Sequence, residues 1–169
     1  MGTSKSGRYL NTEGAFKSVS DFALVHSVEG SFVKKRIRVK GKVKSQLRLE
    51  CGGHGQKGMD LLDKYGIKYN IVKTFSNGVR VGNVPDHVLK SKRTGINQTW
   101  FPKSWTEKDI RRAGEHVVGL KKNRHIGDGK VAYGSYKGVR VGVIKNKDRI
   151  ATVFPDSHQE ILLKRKKKR

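Results

Sequence analysis

A single cysteine, Cys51, in 169 residues excludes an intramolecular disulfide framework and a cysteine-rich zinc site. No local signature marks that thiol as a nucleophile. Acidic residues are few, 14 against 38 lysines and arginines. Their scarcity around the candidate loops argues against the carboxylate clusters of two-metal nucleases. No apolar run approaches the roughly 20 residues that span a bilayer. The first residues lack a signal peptide's charged start and apolar middle. Walker-type and dinucleotide-binding glycine patterns are missing, so no nucleotide cofactor is expected. No pair among the six histidines has helical metal-ligand spacing beside a carboxylate, so no metal site is expected either.

What is present is charge. The net charge is +24, with 34% hydrophobic residues. Such a charge repels itself in a compact chain and usually serves an anionic partner. A membrane surface is disfavoured, because no basic amphipathic helix of sufficient length is evident. The length suits one domain of ordinary size. Residues 1–50 read as a linker and a basic strand region, with a short element around Phe22 and His26. Residues 51–157 read as the folded domain, and 158–169 as a basic tail ending in Lys164-Arg165-Lys166-Lys167-Lys168-Arg169.

Periodicity places the elements. Across residues 37–49 apolar side chains occupy odd positions and cations even ones, the signature of a strand or of a hairpin bent near Gly41. The basic face is either edge protection or a phosphate-tracking surface. Cys51-Gly52-Gly53-His54-Gly55 is a glycine-rich turn. Residues 58–65 form a short helix closed by Gly66. Strands at 68–74 and 79–84 flank the hairpin signal Asn77-Gly78. The best helix is 106–120, with Thr106 as N-cap, Asp109 completing a capping box, Trp105 as a staple, and a stripe of Ile110, Ala113, Val117 and Leu120. A three-stranded meander follows at 130–136, 139–144 and 149–154. The fold class is α+β, a twisted antiparallel sheet with one or two packed helices.

Metal-free RNA cleavage needs a base for the ribose 2′-hydroxyl, an acid for the leaving 5′-oxygen and a cation for the phosphorane. Histidine suits both proton roles. His87 leads the candidates, because it ends a strand at Val84-Pro85 and cations follow it. His54, in its glycine turn, and His116, on the helix, compete for the second proton role. His26, His125 and His158 read as surface residues. Lys130 is the favoured phosphate cation. Thr152 is placed on one strand face with Ile150 and Phe154, its bland alternative being a core-edge threonine. Lys90, Lys92, Arg93, Lys137 and Arg140 are candidate phosphate contacts, with Gln98 beside them and Trp100 and Phe101 as base-stacking surfaces. A non-catalytic nucleic-acid binder, ribosome- or phage-associated, would explain the charge but not the histidine-bearing turns.

The sequence resembles the bacterial EndoU-type RNase toxin domains of polymorphic and contact-dependent inhibition systems, in the wider barnase–EndoU–colicin–RelE class. The resemblance runs over about residues 52–156. It rests on Gly-Gly-His-Gly at 52–55, Gly-Asn-Val-Pro-Asp-His at 82–87, Phe-Pro-Lys-Ser-Trp-Thr at 101–106, and Ile150-Ala151-Thr152-Val153-Phe154-Pro155. It implies a metal-independent endoribonuclease that leaves a 2′,3′-cyclic phosphate. It also implies a secreted or delivered toxin that acts in a competitor's cytoplasm and is neutralised by an immunity protein, expected to be acidic. Two histidines, a lysine and a late threonine or tyrosine are implied as the catalytic set. His87 takes the first histidine's place and Thr152 the threonine's. No histidine follows shortly after His87, and Phe154 stands where a tyrosine is common. A monomer is expected.

Overall fold

The computed structural model describes residues 18–147 and 149–159. The N-terminal residues before Ser18 and the basic tail at 164–169 lie outside the described residues. The architecture is α+β. Helices α1 (Asp21–Val28), α2 (Gln56–Lys64) and α3 (Glu107–Val118) accompany eight strands. These are β1 (Ser31–Val39), β2 (Lys42–Cys51), β3 (Asn70–Thr74), β4 (Arg80–Asn83), β5 (Gln98–Trp100), β6 (Val131–Tyr136), β7 (Val139–Asn146) and β8 (Arg149–Pro155). In place of one continuous sheet there are three small antiparallel ones, β1-β2, β3-β4-β5 and β6-β7-β8.

The short element expected near Phe22 is α1. Ser20 caps it by accepting from the Ala23 N–H, and Ala23, Leu24 and Val28 enter the main core. That core continues through Phe101, the Ile110, Ala113 and Val117 stripe of α3, and Val139, Val141 and Val153 of the last sheet. The capping box of Thr106 and Asp109 forms as the sequence predicts. A second core joins Leu49, Met59, Leu62, Ile67, Val84 and Trp100 under α2.

The basic run at 37–49 is a hairpin. Lys40 and Gly41 both take positive φ, 51° and 77°, the left-handed pair that matches strand twist in a two-residue turn. Toward its tip the expected apolar face meets no core, and Val39 and Val43 are exposed. At the other end of the chain, packing continues past residue 158. Gln159 is fully buried, and its side chain bonds both the N–H and the carbonyl of Arg140.

Candidate active site

The glycine turn lies against the end of α1. The Gly53, His54 and Gly55 N–H groups donate to the carbonyls of His26, Ser27 and Val28 at 3.1, 2.6 and 3.1 Å. This approach demands glycine. Gly52 sits at φ +70°, and a Cβ there would fall 2.1 Å from the His26 carbonyl oxygen. A Cβ on Gly58 would fall 2.6 Å from the Val28 oxygen. On the other side, the Val153 N–H donates to Ser27 Oγ at 2.9 Å, pinning α1 to β8. Residues 26, 54 and 152, far apart in sequence, thereby reach one cleft.

The cleft has a volume of about 390 Å³, and His26, His54, Lys92, Tyr133, Thr152 and Phe154 are among its walls. The His54 ring lies 5.9 Å from that of Phe154. His54 Nδ1 is 2.7 Å from the Thr99 carbonyl oxygen. A carbonyl only accepts, so Nδ1 carries the proton and Nε2 keeps the lone pair. Burial, reinforced by the Lys92 charge, pushes the His54 pKa down to about 3. The ring is therefore neutral at physiological pH. His26 is half-buried, with Nδ1 3.3 Å from Ser31 Oγ and 3.8 Å from Cys51 Sγ. Burial and then Lys92 lower its pKa, while Glu50 opposes them. Burial pushes the Cys51 thiol up, which disfavours the thiolate.

Lys92 ends a 3-10 turn at Lys90–Lys92, and its carbonyl accepts the Val84 N–H at 2.9 Å. Its ammonium reaches toward Gln98 Oε1 at 3.5 Å, and burial holds its pKa below the usual lysine range. Thr152 reaches the cleft through a bulge. The register shifts between Ile144 and Lys145, so Ile144 opposes Thr152 while Lys145 opposes Ile150. One extra residue breaks the two-residue alternation. Ile150 and Val153 both enter the core, and Thr152 is left on the cleft wall with Phe154. This corrects the expectation that Thr152 shares a face with Ile150.

The other anticipated residues disperse. His87 is 0% exposed and lines no part of the cleft. Its Nδ1 accepts the Leu89 N–H at 2.9 Å, and its carbonyl accepts from Arg48 and Arg93. Burial, then Lys92, Arg48 and Arg93, push its pKa down to about 4. His116 is exposed on α3, its ring 5.5 Å from that of Tyr136, away from the cleft. Lys130 is exposed in the turn before β6. Lys137 pairs with Asp109 at 2.7 Å. Arg140 pairs with Asp156 at 2.7 Å and lies 4.5 Å over the Tyr133 ring, behind the cleft wall. Arg93 is spent on the His87 and Val88 carbonyls, and Lys90 is exposed on the rim turn. Gln98 is buried and donates to the Gly52 carbonyl at 3.2 Å. Trp100 and Phe101 are both 0% exposed, their rings 5.8 Å from that of Tyr69 and 5.0 Å from that of Trp105, so no base can stack on either in this fold. The strand of Trp100, β5, pairs with β4. His26 is the cleft residue that the sequence alone assigns to the surface. The backbone ladder between residues 26–28 and 53–55 places it in the cleft.

Two imidazoles, an ammonium and a hydroxyl thus line one cleft of a strongly basic α+β domain. The sequence model of the bacterial EndoU nuclease family matches residues 26–157, and the chain belongs to that family. It is an endoribonuclease. No curated protein matches the chain, and no solved structure does. Among the described residues, no helix is long and apolar enough to cross a membrane.

Proposed function

We propose that this cleft cleaves RNA by attack of a ribose 2′-hydroxyl on the adjacent phosphorus, releasing a 5′-hydroxyl and leaving a 2′,3′-cyclic phosphate. The observation that carries the reading is the convergence of His26, His54, Lys92 and Thr152 on one cleft. His54, neutral and offering Nε2, takes the 2′-hydroxyl proton. His26, less buried, donates a proton to the departing 5′-oxygen. An arriving phosphate raises its proton affinity, because an opposite charge nearby favours the imidazolium. Lys92 counters the charge that builds on the phosphorane, the kind of preorganised electrostatic contact that dominates such catalysis. The Thr152 hydroxyl hydrogen-bonds a non-bridging oxygen. His87 supports the loop that carries Lys92.

The protruding β1-β2 hairpin, with Lys34, Lys35, Arg36, Arg38, Lys40, Lys42 and Lys44 and no acid between them, is the phosphate-tracking surface. In biological terms the domain is a toxin delivered into a competing bacterium, where it acts on cytoplasmic RNA. An acidic immunity protein neutralises it in the producing cell. The net charge of +24 supports an acidic partner. The chemistry is tested by incubating purified protein with RNA and identifying the termini. Cyclic phosphate ends, absent in His54→Ala and His26→Ala with RNA binding retained, are expected. Wild-type protein that leaves RNA intact from pH 5 to 8 refutes the proposal.

A further inference from the structure

A second hollow adjoins the cleft. It has a volume of about 430 Å³, and its walls include Phe22, Ala23, Asn146, Arg149, Ile150 and Ala151, together with His26 and Thr152. Those last two residues also line the cleft, so they form the partition between two cavities. Bonds are made and broken at that partition in the proposed reaction, and a polymer must continue on both sides of it.

We propose that the second hollow is the subsite for the nucleotide on the 3′ side of the scissile phosphate. The inference rests on the proton roles given above. His54 lies only in the first cavity, so the ribose bearing the attacking 2′-hydroxyl lies there with Tyr133 and Phe154. His26, the proton donor to the leaving oxygen, faces the second hollow, so the leaving nucleoside goes that way. The lining suits it. Phe22 stands at the rim with 86% of its surface exposed, which leaves its ring face open to a base. Base stacking on an aromatic face tolerates any sequence. Ala23, Ile150 and Ala151 supply an apolar floor. Arg149 and Asn146, where β7 and β8 turn, supply a cation and an amide for the following phosphate. No carboxylate among the described residues lines this hollow.

The test compares two substrates on the full chain. One is a ribotrinucleotide with the scissile bond after its first nucleotide. The other is a nucleoside 3′-aryl phosphate, which has a leaving group but no nucleotide beyond it. Phe22→Ala should lower kcat/KM on the trinucleotide about tenfold more than on the aryl ester, within the range stacking supports, and Arg149→Ala should also lower it more on the trinucleotide, through the lost phosphate contact. Phe22→Trp should restore the trinucleotide rate. Equal losses on both substrates, or no loss on either, overturn the subsite. Cleavage of both by wild type, abolished in His54→Ala, keeps the test separate from the proposed chemistry; failure of wild type on both would count against that chemistry and against the subsite with it. Phe22 and Arg149 are exposed, so neither variant threatens the fold.

Discussion

Replacing His87 with asparagine, and separately with alanine, distinguishes an imidazole that supports the fold from one that moves protons. The ring is wholly buried, and its Nδ1 accepts the Leu89 N–H at 2.9 Å. Alanine removes that acceptor, stranding a backbone donor at about 1–3 kcal/mol, and leaves a ring-sized void. Together these cost about 3–5 kcal/mol. Asparagine keeps an acceptor close to the Nδ1 position and fills part of the space, so it should cost roughly half as much. Acid adds a second reading. The folded pKa of about 4 lies below the ordinary 6.5, so the unfolded chain binds more protons between those values. The histidine's contribution is full above pH 6.5 and disappears as pH falls toward 4, about 3 kcal/mol for this one group. Urea unfolding at pH 7 and pH 4 measures it. His87→Asn should flatten the acid destabilisation by about that amount, while RNA cleavage at pH 6 stays within about tenfold of wild type. His54→Ala should slow cleavage about 100-fold or more, the usual range for a general base. A folded His87→Asn that binds RNA but is as inactive as His54→Ala would refute this account and return proton transfer to the buried imidazole.

Four further outcomes test the rest. Gly52→Ala places a Cβ 2.1 Å from the His26 oxygen and should abolish cleavage with a marked drop in thermal stability; Gly41→Ala, at φ +77° with nothing within 4 Å, should cost only about 1 kcal/mol and no activity. The kcat/KM profile should fall as pH rises through a value below 6.5, because the His26 pKa is lowered and the donor form disappears there, whereas His54 at about 3 is already deprotonated; a profile still rising at pH 8 contradicts the assigned roles. Neutralising Lys34, Lys35, Arg36 and Arg38 should reduce the slope of log affinity against log salt for single-stranded RNA, measured by fluorescence titration, by up to about 0.7 for each phosphate no longer neutralised. EDTA should leave the rate unchanged, since Asp156, the one carboxylate among the described residues lining the cleft, is already paired with Arg140 at 2.7 Å.

How far the sequence reaches depends on the range of the forces involved. Helix α3 is legible because its signals are local. The Thr106–Asp109 box and the Ile110, Ala113, Val117 stripe lie within one element, and both form. The last meander is legible for the same reason, each strand being bounded by its own turn. Strand β5 is not. Gln98, Thr99 and Trp100 have the look of an exposed polar–aromatic loop, and only pairing with β4 carries Trp100 into the second core. The face of Thr152 is hidden by a bulge, which leaves no mark in the periodicity of β8. The two histidines of the cleft divide along the same line. His54 is legible because glycines flank it on both sides, and such a run announces a close backbone approach without naming what approaches. The approaching element is α1, and the contact is made by main-chain hydrogen bonds from 53, 54 and 55 to 26, 27 and 28. Main-chain bonds are indifferent to side-chain identity, so nothing at position 26 reports them. The glycines at 52 and 58 do, since a side chain at either would meet the helix end. In a basic chain, a glycine-flanked histidine therefore points to a second residue on whichever element its glycines admit, and here that residue is His26.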